Sequence, residues 1–558
     1  MAWDNEYDVV VVGSGIGGMG AALTAAKEGA KVIVLEKFNQ LGGVTALSSG
    51  QLWPGPTHIS EEAGIKDSLE DAKSYIEHLG QGHSTPEMRD QYFERSRECI
   101  RYFTDKIGLE LEVVRDLPDY YYPAVKGSAV EGRYLEIKPF PSEKLGEWKD
   151  KVMTSPFGFY YSYSTSGEFI KAQIRNGESM GACIQRHVAK DERCAGSGLA
   201  SAQVYQALKL GIDLHTDTEV TELVIEDGVV TGVVARLPGC DHRIRARLGV
   251  VLATGGYDWR KDFVKSFDAL PEAGNMTMPT ITGDHIVMAS KAGVLPMPSR
   301  TPTQSPIFIG YKVPSEIIYG RQASRLHTPG YPHTIVVNKK GLRFGNDSFY
   351  PDIATKVSRF DGQEQGTPNW PAWIVFDQDF VDDHNLLPGF PGQPVPEGVA
   401  TKTDTLRELA EATGIDTEGL EATVNRWNGF CKTGKDPDFA RGEVPWGHIM
   451  TGDFKRKYPS FGEIEKGPFY AVPLERVTMG VPTAGLPIDT NGNVIDAAGK
   501  TVPGLYATGN SAAWRDWGGG YNSGIAMNRG LLYGHLGALH MIKTRSGKAV
   551  PNGKPNGK

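Results

Sequence analysis

Glycines at fixed spacings follow the first apolar run of the chain and could form a phosphate-binding turn. The run from Val9 to Val12 breaks at the sequence GSGIGG, which includes glycines at 13, 15 and 18. Gly13 permits a tight turn, Gly15 lets the backbone approach a pyrophosphate, and Gly18 lets a following helix pack closely on the strand. This spacing predicts that the chain binds a dinucleotide.

The elements that position this turn are predicted to be a strand, a helix and a second strand. An Ala-rich segment follows the glycines, and a second apolar run from Val32 to Leu35 ends at Glu36. Unpaired N–H groups at the start of the helix would face the phosphates. An acid about 20 residues after the turn can accept hydrogen bonds from both ribose hydroxyls. Glu36 therefore favours an unphosphorylated ribose, as in FAD or NAD.

Later segments are predicted to contact the same cofactor. The loop after Glu36 is rich in small residues, and a later apolar run ends at paired glycines near 255. A strand followed by a glycine turn near 509 has the same pattern as the first motif. The loop at 37–53 contains no histidine, so we expect non-covalent binding. The predicted cofactor-binding residues are Gly13, Gly15, Ile16, Gly17, Gly18, Glu36, Lys37, Gly42, Gly43, Thr45, Ser48, Ser49, Gly50, Val220, Ala253, Thr254, Gly255, Asp284, Gly509, Asn510, Gly524, Ile525 and Ala526.

Composition excludes several classes of protein. The chain has 558 residues, 40% hydrophobic and 23% charged, with a net charge of −8. No basic stretch lies inside the predicted folded part, so nucleic acid is not an expected partner. The cysteines and histidines have no ligand-like spacing, so no metal site is predicted. No run of about 20 apolar residues occurs, and we expect a cytoplasmic protein without a transmembrane segment.

The length of the chain and the changes in residue composition along it predict two domains and a tail. Residues 1–292 are expected to form the cofactor-binding domain, with a substrate-loop insertion at about 112–195 that is rich in Gly, Pro and aromatic residues. Residues 293–478 are expected to form a catalytic domain, and 479–543 to return to the first domain. Residues 544–558 read as a disordered basic tail.

Together these motifs resemble the flavoprotein family of fumarate reductases and 3-ketosteroid dehydrogenases. The matching residues are Gly13 to Gly18, Glu36, Gly42-Gly43, Ala253 to Gly256, Thr282 to Asp284, VNKKGLRFGND at 337–347, AWIVFD at 372–377 and GLYATGN at 504–510. The resemblance implies an α/β fold, with a Rossmann-like FAD-binding domain built from both termini and an inserted α+β catalytic domain. It also implies hydride transfer between a substrate carbon and flavin N5.

Three tyrosines resemble the active-site tyrosines of the ketosteroid branch: Tyr120 in LPDY, Tyr350 in DSFY and Tyr521 in GYNS. Desaturation beside a ketone removes an α proton and a β hydride, so the carbonyl oxygen gains negative charge. Tyr521 and the N–H of Gly524 would stabilise that charge. Tyr350 would take the proton and share it with Tyr120, which requires a phenol pKa to fall from about 10 toward 7. The predicted substrate is a cyclic ketone, foremost a 3-ketosteroid.

Alternatives within and outside the family stay open at this stage. Reduction of an unsaturated acid is disfavoured, because fumarate reductases are expected to carry a His-Pro-Thr element. Neither Pro279-Thr280 nor Pro482-Thr483 is preceded by histidine. Ser523 gives a Tyr-x-Ser element that looks more like enzymes acting at the Δ4 position, with Ser523 as a second carbonyl donor. Arg515 could suit a smaller, carboxylated cyclohexanone. A flavin-binding sensor without catalysis is the alternative of a different class.

Electrons must leave the predicted flavin to a separate molecule. The sequence has no CxxCH element, which would mark a c-type haem, and no iron–sulfur ligand pattern. We therefore expect an external electron acceptor, a quinone or similar compound. Association with a membrane surface stays open, since steroid substrates are apolar.

Overall fold

An eight-stranded sheet forms the centre of the molecule in the computed structural model, which describes residues 2–158, 160–174, 177–237, 240–299 and 308–545. Its main path runs through strands Asn493–Ile495, Thr501–Ala507, Cys240–Leu252, Asn5–Val12, Val32–Leu35 and Asp213–His215. The antiparallel strands Glu219–Glu226 and Val229–Leu237 extend it alongside Cys240–Leu252. All the neighbouring strands from Thr501–Ala507 to Asp213–His215 pair in parallel, as expected when both faces of a sheet are covered.

The two ends of the chain meet on this sheet. Strand Thr501–Ala507 pairs with Cys240–Leu252, which in turn pairs with the first strand. Helix Ile16–Lys27 packs against the last helix, Ile525–Arg545, and the contact needs small residues. A Cβ atom on Gly534 would lie 2.3 Å from the carbonyl oxygen of Gly17, so the two backbones touch there. The C-terminal helix thereby lies directly behind the glycine turn.

Two further four-stranded sheets belong to the middle of the chain. The first has the order Gly274–Asn275, Glu475–Thr478, Phe308–Ile318, Arg321–Leu326, and the second Thr334–Asn338, Ala372–Phe376, Phe469–Pro473, Thr401–Thr403. The second sheet buries Ile335, Val337 and Val375 against helices Leu406–Thr413 and Thr417–Thr433. The domain boundaries themselves stay a prediction.

The segment at 112–195, predicted to be a substrate-loop insertion, contains the short α-helices Tyr160–Tyr163, Ser166–Gln173 and Met180–Ala189. They are too short for apolar spacing to reveal them. It also contains the strands Leu111–Val113 and Leu135–Ile137, which pair with each other. The remaining longer helices are Leu69–Gly80, Pro86–Tyr102 and Ala195–Lys209.

The ends of the described ranges limit two predictions. Residues 546–558, nearly all of the predicted tail, lie outside the described residues. Within the described part of the chain, the helices are too short or too polar to cross a bilayer.

Candidate active site

Three tyrosine side chains from distant parts of the chain meet in one cavity. The hydroxyl of Tyr350 donates to the hydroxyl of Tyr120 at 3.4 Å, and the rings of Tyr120 and Tyr521 have centroids 6.2 Å apart. Tyr120 and Tyr350 are buried, whereas Tyr521 is half-buried. The structure therefore brings together the three tyrosines named from sequence.

Aromatic side chains fix the orientation of this cluster. Tyr350 is the first residue of helix Tyr350–Lys356, and the ring of Phe308 stacks on it with a centroid distance of 5.3 Å. Trp446 lies 4.3 Å from the ring of Tyr120, measured between centroids. Both side chains also line the cavity. Their contact restricts the rings of Tyr120 and Tyr350 to rotamers in which the two hydroxyls meet.

Asn522 holds the loop that carries Tyr521. Its side-chain oxygen accepts hydrogen bonds from the hydroxyl of Tyr75 at 2.9 Å and from the main-chain N–H of Tyr120 at 3.1 Å. Its amide nitrogen donates to the hydroxyl of Tyr134 at 2.8 Å. Asn522 is fully buried. Asn522 therefore positions the loop of Tyr521 next to the loop of Tyr120.

Ser523 faces the tyrosine pair. Its hydroxyl donates to Oε1 of Gln51 at 2.7 Å. Because a hydroxyl has one proton, Ser523 has none left to donate to a ketone in this arrangement. The role of second carbonyl donor, expected from the Tyr-x-Ser element, stays a prediction.

Burial controls the acidity of the tyrosines. It raises the pKa of Tyr120 and of Tyr350 well above the ordinary value of a phenol, and the neighbouring phenols add to the effect at Tyr350. This direction is opposite to the lowered pKa that the sequence argument requires of a base. A proton on Tyr350 therefore needs an acceptor along its hydrogen bond to Tyr120.

The cavity continues from the tyrosines to the glycine turn, with a volume of about 1120 Å³. Pockets for one small ligand are commonly about 300–1000 Å³, so this one is large enough for a dinucleotide and a second molecule. The predicted residues in its wall are Gly13, Gly15, Ile16, Gly17, Glu36, Lys37, Gly43, Thr45, Ser48, Ser49, Tyr120, Val220, Ala253, Thr254, Gly255, Asp284, Tyr350, Gly509, Asn510, Tyr521, Ser523, Gly524 and Ala526.

Four predicted cofactor residues lie behind this wall: Gly18, Gly42, Gly50 and Ile525. A Cβ atom on Gly18 would be 2.0 Å from the carbonyl oxygen of Gly13, and one on Gly50 would be 2.5 Å from the carbonyl carbon of Ala195. The N–H of Gly42 donates to Oγ of Ser14 at 2.9 Å, and Ile525 is fully buried. These residues shape the wall through packing and do not face the cavity.

At the nucleotide end of the cavity, hydrogen bonds hold the carboxylate of Glu36 in place and leave it able to accept one more. Its carboxylate accepts from the N–H of Ser14 at 3.0 Å, from the hydroxyl of Ser14 at 2.7 Å and from the N–H of Phe38 at 2.8 Å. A carboxylate has about four acceptor positions, so a ribose hydroxyl can still bind. Burial raises the pKa of Glu36, against the effect of these hydrogen bonds. The role of Ser14 in orienting Glu36 was not predicted.

Two more features fit a flavin dinucleotide. A Cβ atom on Gly15 would meet nothing closer than Oγ1 of Thr45 at 3.7 Å, so the glycine leaves open space at the turn. Asn510 lines the cavity, and its amide donates to the carbonyl of Gly480 while its Oδ1 atom is buried without a hydrogen-bond partner. An acceptor of this kind suits a ligand with N–H or O–H groups, which FAD has on its ribityl chain and flavin ring.

Several side chains in the cavity wall near the tyrosines were not predicted from the sequence. Among them are Gln51, Phe308, Arg325, His327 and Trp446. Arg325 is paired with Glu316, and its Nε atom lies 2.8 Å from a carboxylate oxygen. Burial lowers the pKa of His327 to about 3. No spacing in the sequence signals these side chains, because separate elements bring them to the cavity.

Known proteins match almost the whole chain. The family described as "FAD binding domain" matches residues 8–525. A 3-oxosteroid 1-dehydrogenase of Mycolicibacterium smegmatis is 32% identical, over 97% of this chain and 98% of that protein. A 4-oxocyclohexanecarboxylate 2-dehydrogenase of Sinomonas cyclohexanicum is 31% identical, over 91% and 88%. A crystal structure of 3-ketosteroid delta1-dehydrogenase from Sterolibacterium denitrificans, in complex with 1,4-androstadiene-3,17-dione, has a TM-score of 0.88 at 27% identity, covering 97% of this chain and 100% of that one.

Proposed function

The chain belongs to the flavoprotein family of fumarate reductases and 3-ketosteroid dehydrogenases, and on that basis we propose that it introduces the Δ1 double bond of a 3-ketosteroid. It is an FAD-dependent oxidoreductase that acts on CH–CH groups, so the predicted cofactor, enzyme class and α/β fold are confirmed. Bound FAD supplies the acceptor for the hydride. The protein must bind the ketone, exclude water and take the α proton.

The observation that carries the proposal is the cluster of Tyr120, Tyr350 and Tyr521 in a cavity continuous with the nucleotide end. We assign the ketone oxygen to the hydroxyl of Tyr521 and the N–H of Gly524, both in the wall. Two donors in a dry site stabilise the oxygen as it gains charge. Tyr350 takes the α proton, and its hydrogen bond to Tyr120 provides the next acceptor.

The charges in the wall support an uncharged substrate. Among the described wall residues, the cationic side chains are Lys37 and Arg325, and each has a carboxylate partner. Lys37 pairs with Asp284 at 3.0 Å. Arg515 lies outside the wall, with its guanidinium donating to the carbonyl of Ile488 at 3.2 Å. The carboxylate of a cyclohexanone substrate would find no unpaired cation among these residues. A 3-ketosteroid has no charge and needs no such partner.

Two observations support Δ1 over Δ4 regiochemistry. The relatives named 3-oxosteroid 1-dehydrogenase and 3-ketosteroid delta1-dehydrogenase match nearly the full length of the chain. Ser523, the basis of the Δ4 expectation, donates its hydroxyl proton to Gln51 in this structure. We also keep an external acceptor such as a quinone, and a cytoplasmic location, as parts of the proposal.

Anaerobic mixing tests the proposal directly. Purified yellow protein is mixed with a saturated 3-ketosteroid, with 4-oxocyclohexanecarboxylate or with succinate, and the oxidised flavin band is followed. We expect the ketosteroid alone to bleach the band rapidly and to yield the 1-ene product. Bleaching by the carboxylated ketone or by succinate alone would replace the steroid proposal, and a 4-ene product would overturn the regiochemistry. If none bleaches the flavin, the desaturase proposal fails.

A further inference from the structure

Trp53 lies behind the cavity wall and touches the backbone of Gly524, whose N–H we assign to the ketone oxygen. The main-chain N–H of Trp53 donates to the carbonyl oxygen of Gly524 at 3.1 Å. Gly524 has φ +82°, and a Cβ atom there would lie 2.9 Å from the main-chain nitrogen of Trp53. The side chain of Trp53 is fully buried and lies outside the described cavity wall. Trp53 therefore fixes a wall residue from behind.

The indole of Trp53 reaches the other side of the site. Its Nε1 atom donates to Oδ1 of Asp119 at 2.8 Å. Asp119 is 1% exposed and directly precedes Tyr120, the phenol that accepts from Tyr350. A single side chain and its own backbone therefore join the ketone-binding turn to the loop that carries Tyr120.

Two further donors hold the carboxylate of Asp119 in one orientation. The main-chain N–H of Ala129 and Nη1 of Arg133 donate to its Oδ2 atom, each at 2.9 Å. The guanidinium of Arg133 is fixed in turn by Asp67, which accepts from Nε at 2.7 Å and from Nη2 at 2.8 Å. Arg133 is also 1% exposed. The acceptor for the indole N–H is therefore held in place independently of Trp53.

Stability alone is a weak reason for the buried ion pair of Asp119 and Arg133. Taking two charges out of water costs free energy that their attraction often only offsets, and apolar residues of the same volume are commonly as stabilising. The charged pair adds direction, because each hydrogen bond needs its donor at a set distance and angle from a carboxylate oxygen. The pair is thus better suited to orienting its neighbours than to stabilising the core.

These contacts close a ring around the site. One half runs from Gly524 through Trp53 and Asp119 to Tyr120. The other half returns from the main-chain N–H of Tyr120 to the side chain of Asn522, two residues before Gly524. Each loop is therefore held from two sides, so the distance between the ketone-binding N–H and the phenols cannot change without breaking a hydrogen bond.

We propose that Trp53 is a positioning residue for the desaturation, and that it keeps the N–H of Gly524 and the phenol pair of Tyr120 and Tyr350 at the separation that the reaction needs. This inference rests on the proposed function. The ketone oxygen and the α proton belong to neighbouring carbon atoms of one rigid ring, so the groups that receive them must lie a fixed distance apart. A displacement of about 1 Å can cost about 100-fold in rate. The indole N–H therefore governs the proton step more than it governs substrate binding.

The matched variants Trp53→Phe and Trp517→Phe test the role of the indole N–H. Both side chains are fully buried, their ring centroids are 5.3 Å apart, and the two substitutions remove the same atoms from one aromatic cluster. Among the described residues, Nε1 of Trp517 has no hydrogen-bond partner, so only Trp53→Phe breaks a bond of the indole. Anaerobic flavin bleaching is measured over a range of 3-ketosteroid concentrations with folded, FAD-loaded protein, which separates the limiting rate from the dissociation constant of the steroid.

We expect the limiting rate to fall at least about tenfold in Trp53→Phe, while the dissociation constant stays within about threefold of the wild-type value. In Trp517→Phe both quantities should stay within about threefold of wild type. Deuterium on the α carbon identifies the step that is slowed. The isotope effect on bleaching should be at least as large in Trp53→Phe as in the wild type, because the proton step is the one affected.

Equal limiting rates in Trp53→Phe and Trp517→Phe would overturn the positioning role, as would a loss confined to steroid affinity or a smaller isotope effect than in the wild type. If Trp53→Phe does not fold, 3-benzothienylalanine at position 53, which keeps the ring shape and lacks the N–H, should show the same loss of rate, and a wild-type rate would refute the proposal. If wild-type protein itself is not bleached by the ketosteroid, the proposed function fails instead, and the two failures are thereby distinguished.

Discussion

The side-chain oxygen of Asn522 accepts a hydrogen bond from the main-chain N–H of Tyr120, which precedes it by 402 residues. This bond ties the loop of Tyr521 to the loop of Tyr120, and both loops contribute a phenol to the cavity. The same oxygen binds the hydroxyl of Tyr75, and the amide nitrogen binds Tyr134. The buried side chain of Asn522 thus sets the distance between Tyr521, assigned to the ketone oxygen, and Tyr120, which shares the proton taken by Tyr350.

Asn522→Ala should destabilise the protein and also slow catalysis. It leaves the N–H of Tyr120 and the hydroxyl of Tyr75 without their partner in a buried site, where each unsatisfied group costs about 1–3 kcal/mol. Tyr134 keeps its hydrogen bond to the carbonyl of Pro118. We expect a lower midpoint of urea unfolding, and slower flavin bleaching under conditions where the variant is fully folded. Tyr75→Phe removes a single bond and is the milder control. If Asn522→Ala keeps the wild-type bleaching rate, the loop does not depend on this residue for its position.

Tyr350→Phe should retain FAD and lose turnover. The phenyl ring keeps the stacking contact with Phe308, but it has no oxygen to accept the α proton or to donate to Tyr120. General-base contributions are typically about 10²–10⁴-fold, so we expect a loss in the bleaching rate within that range. Tyr121→Phe is the matched control, since Tyr121 lies outside the cavity wall. A Tyr350→Phe variant with the activity of Tyr121→Phe would remove Tyr350 from the role of base.

The parts of the molecule that could be predicted from sequence are those that local spacing encodes. The turn from Gly13 to Gly18 and the acid Glu36 lie within one strand, helix and strand, so their residue types carry the information. Tyr120, Tyr350 and Tyr521 came from resemblance to a family, and the structure brings them into one cavity. Their roles, and the domain boundaries, remain predictions.

The contacts that give the site its chemistry could not be predicted in this way. Which way the hydroxyl of Ser523 donates depends on Gln51, 472 residues away, and no spacing records that partnership. The acidity of Tyr350 depends on how completely the fold buries it, and burial moves its pKa opposite to the direction required by the sequence argument.

Glu136 should make the stability of the protein depend on pH. Burial raises its pKa from 4.5 to about 7, so between these values the folded state binds a proton that the unfolded state has released. Its contribution is therefore fully present below about pH 4.5 and is lost as the pH rises through about 7. The whole change is on the order of 3 kcal/mol. Unfolding by urea at pH 5.5 and at pH 8 should show a smaller loss of stability with rising pH in Glu136→Gln than in the wild type, and equal losses would contradict the raised pKa.

Gly15→Ala and Gly18→Ala should separate cofactor binding from folding within one turn. Gly15 has φ −66° and ψ 175°, which alanine adopts readily, and an added Cβ atom would have no contact closer than 3.7 Å. The methyl group would project where we expect the pyrophosphate, so this variant should fold normally and bind FAD at least about tenfold more weakly, because the backbone can no longer approach the phosphates. At Gly18 the Cβ atom would be 2.0 Å from the carbonyl oxygen of Gly13, so the helix must move away from the turn. That variant should be less stable even without cofactor, as judged from the urea midpoint of the apoprotein. Comparable FAD affinity in Gly15→Ala and the wild type would place the phosphates elsewhere, and an apoprotein of unchanged stability in Gly18→Ala would refute the packing role of that glycine.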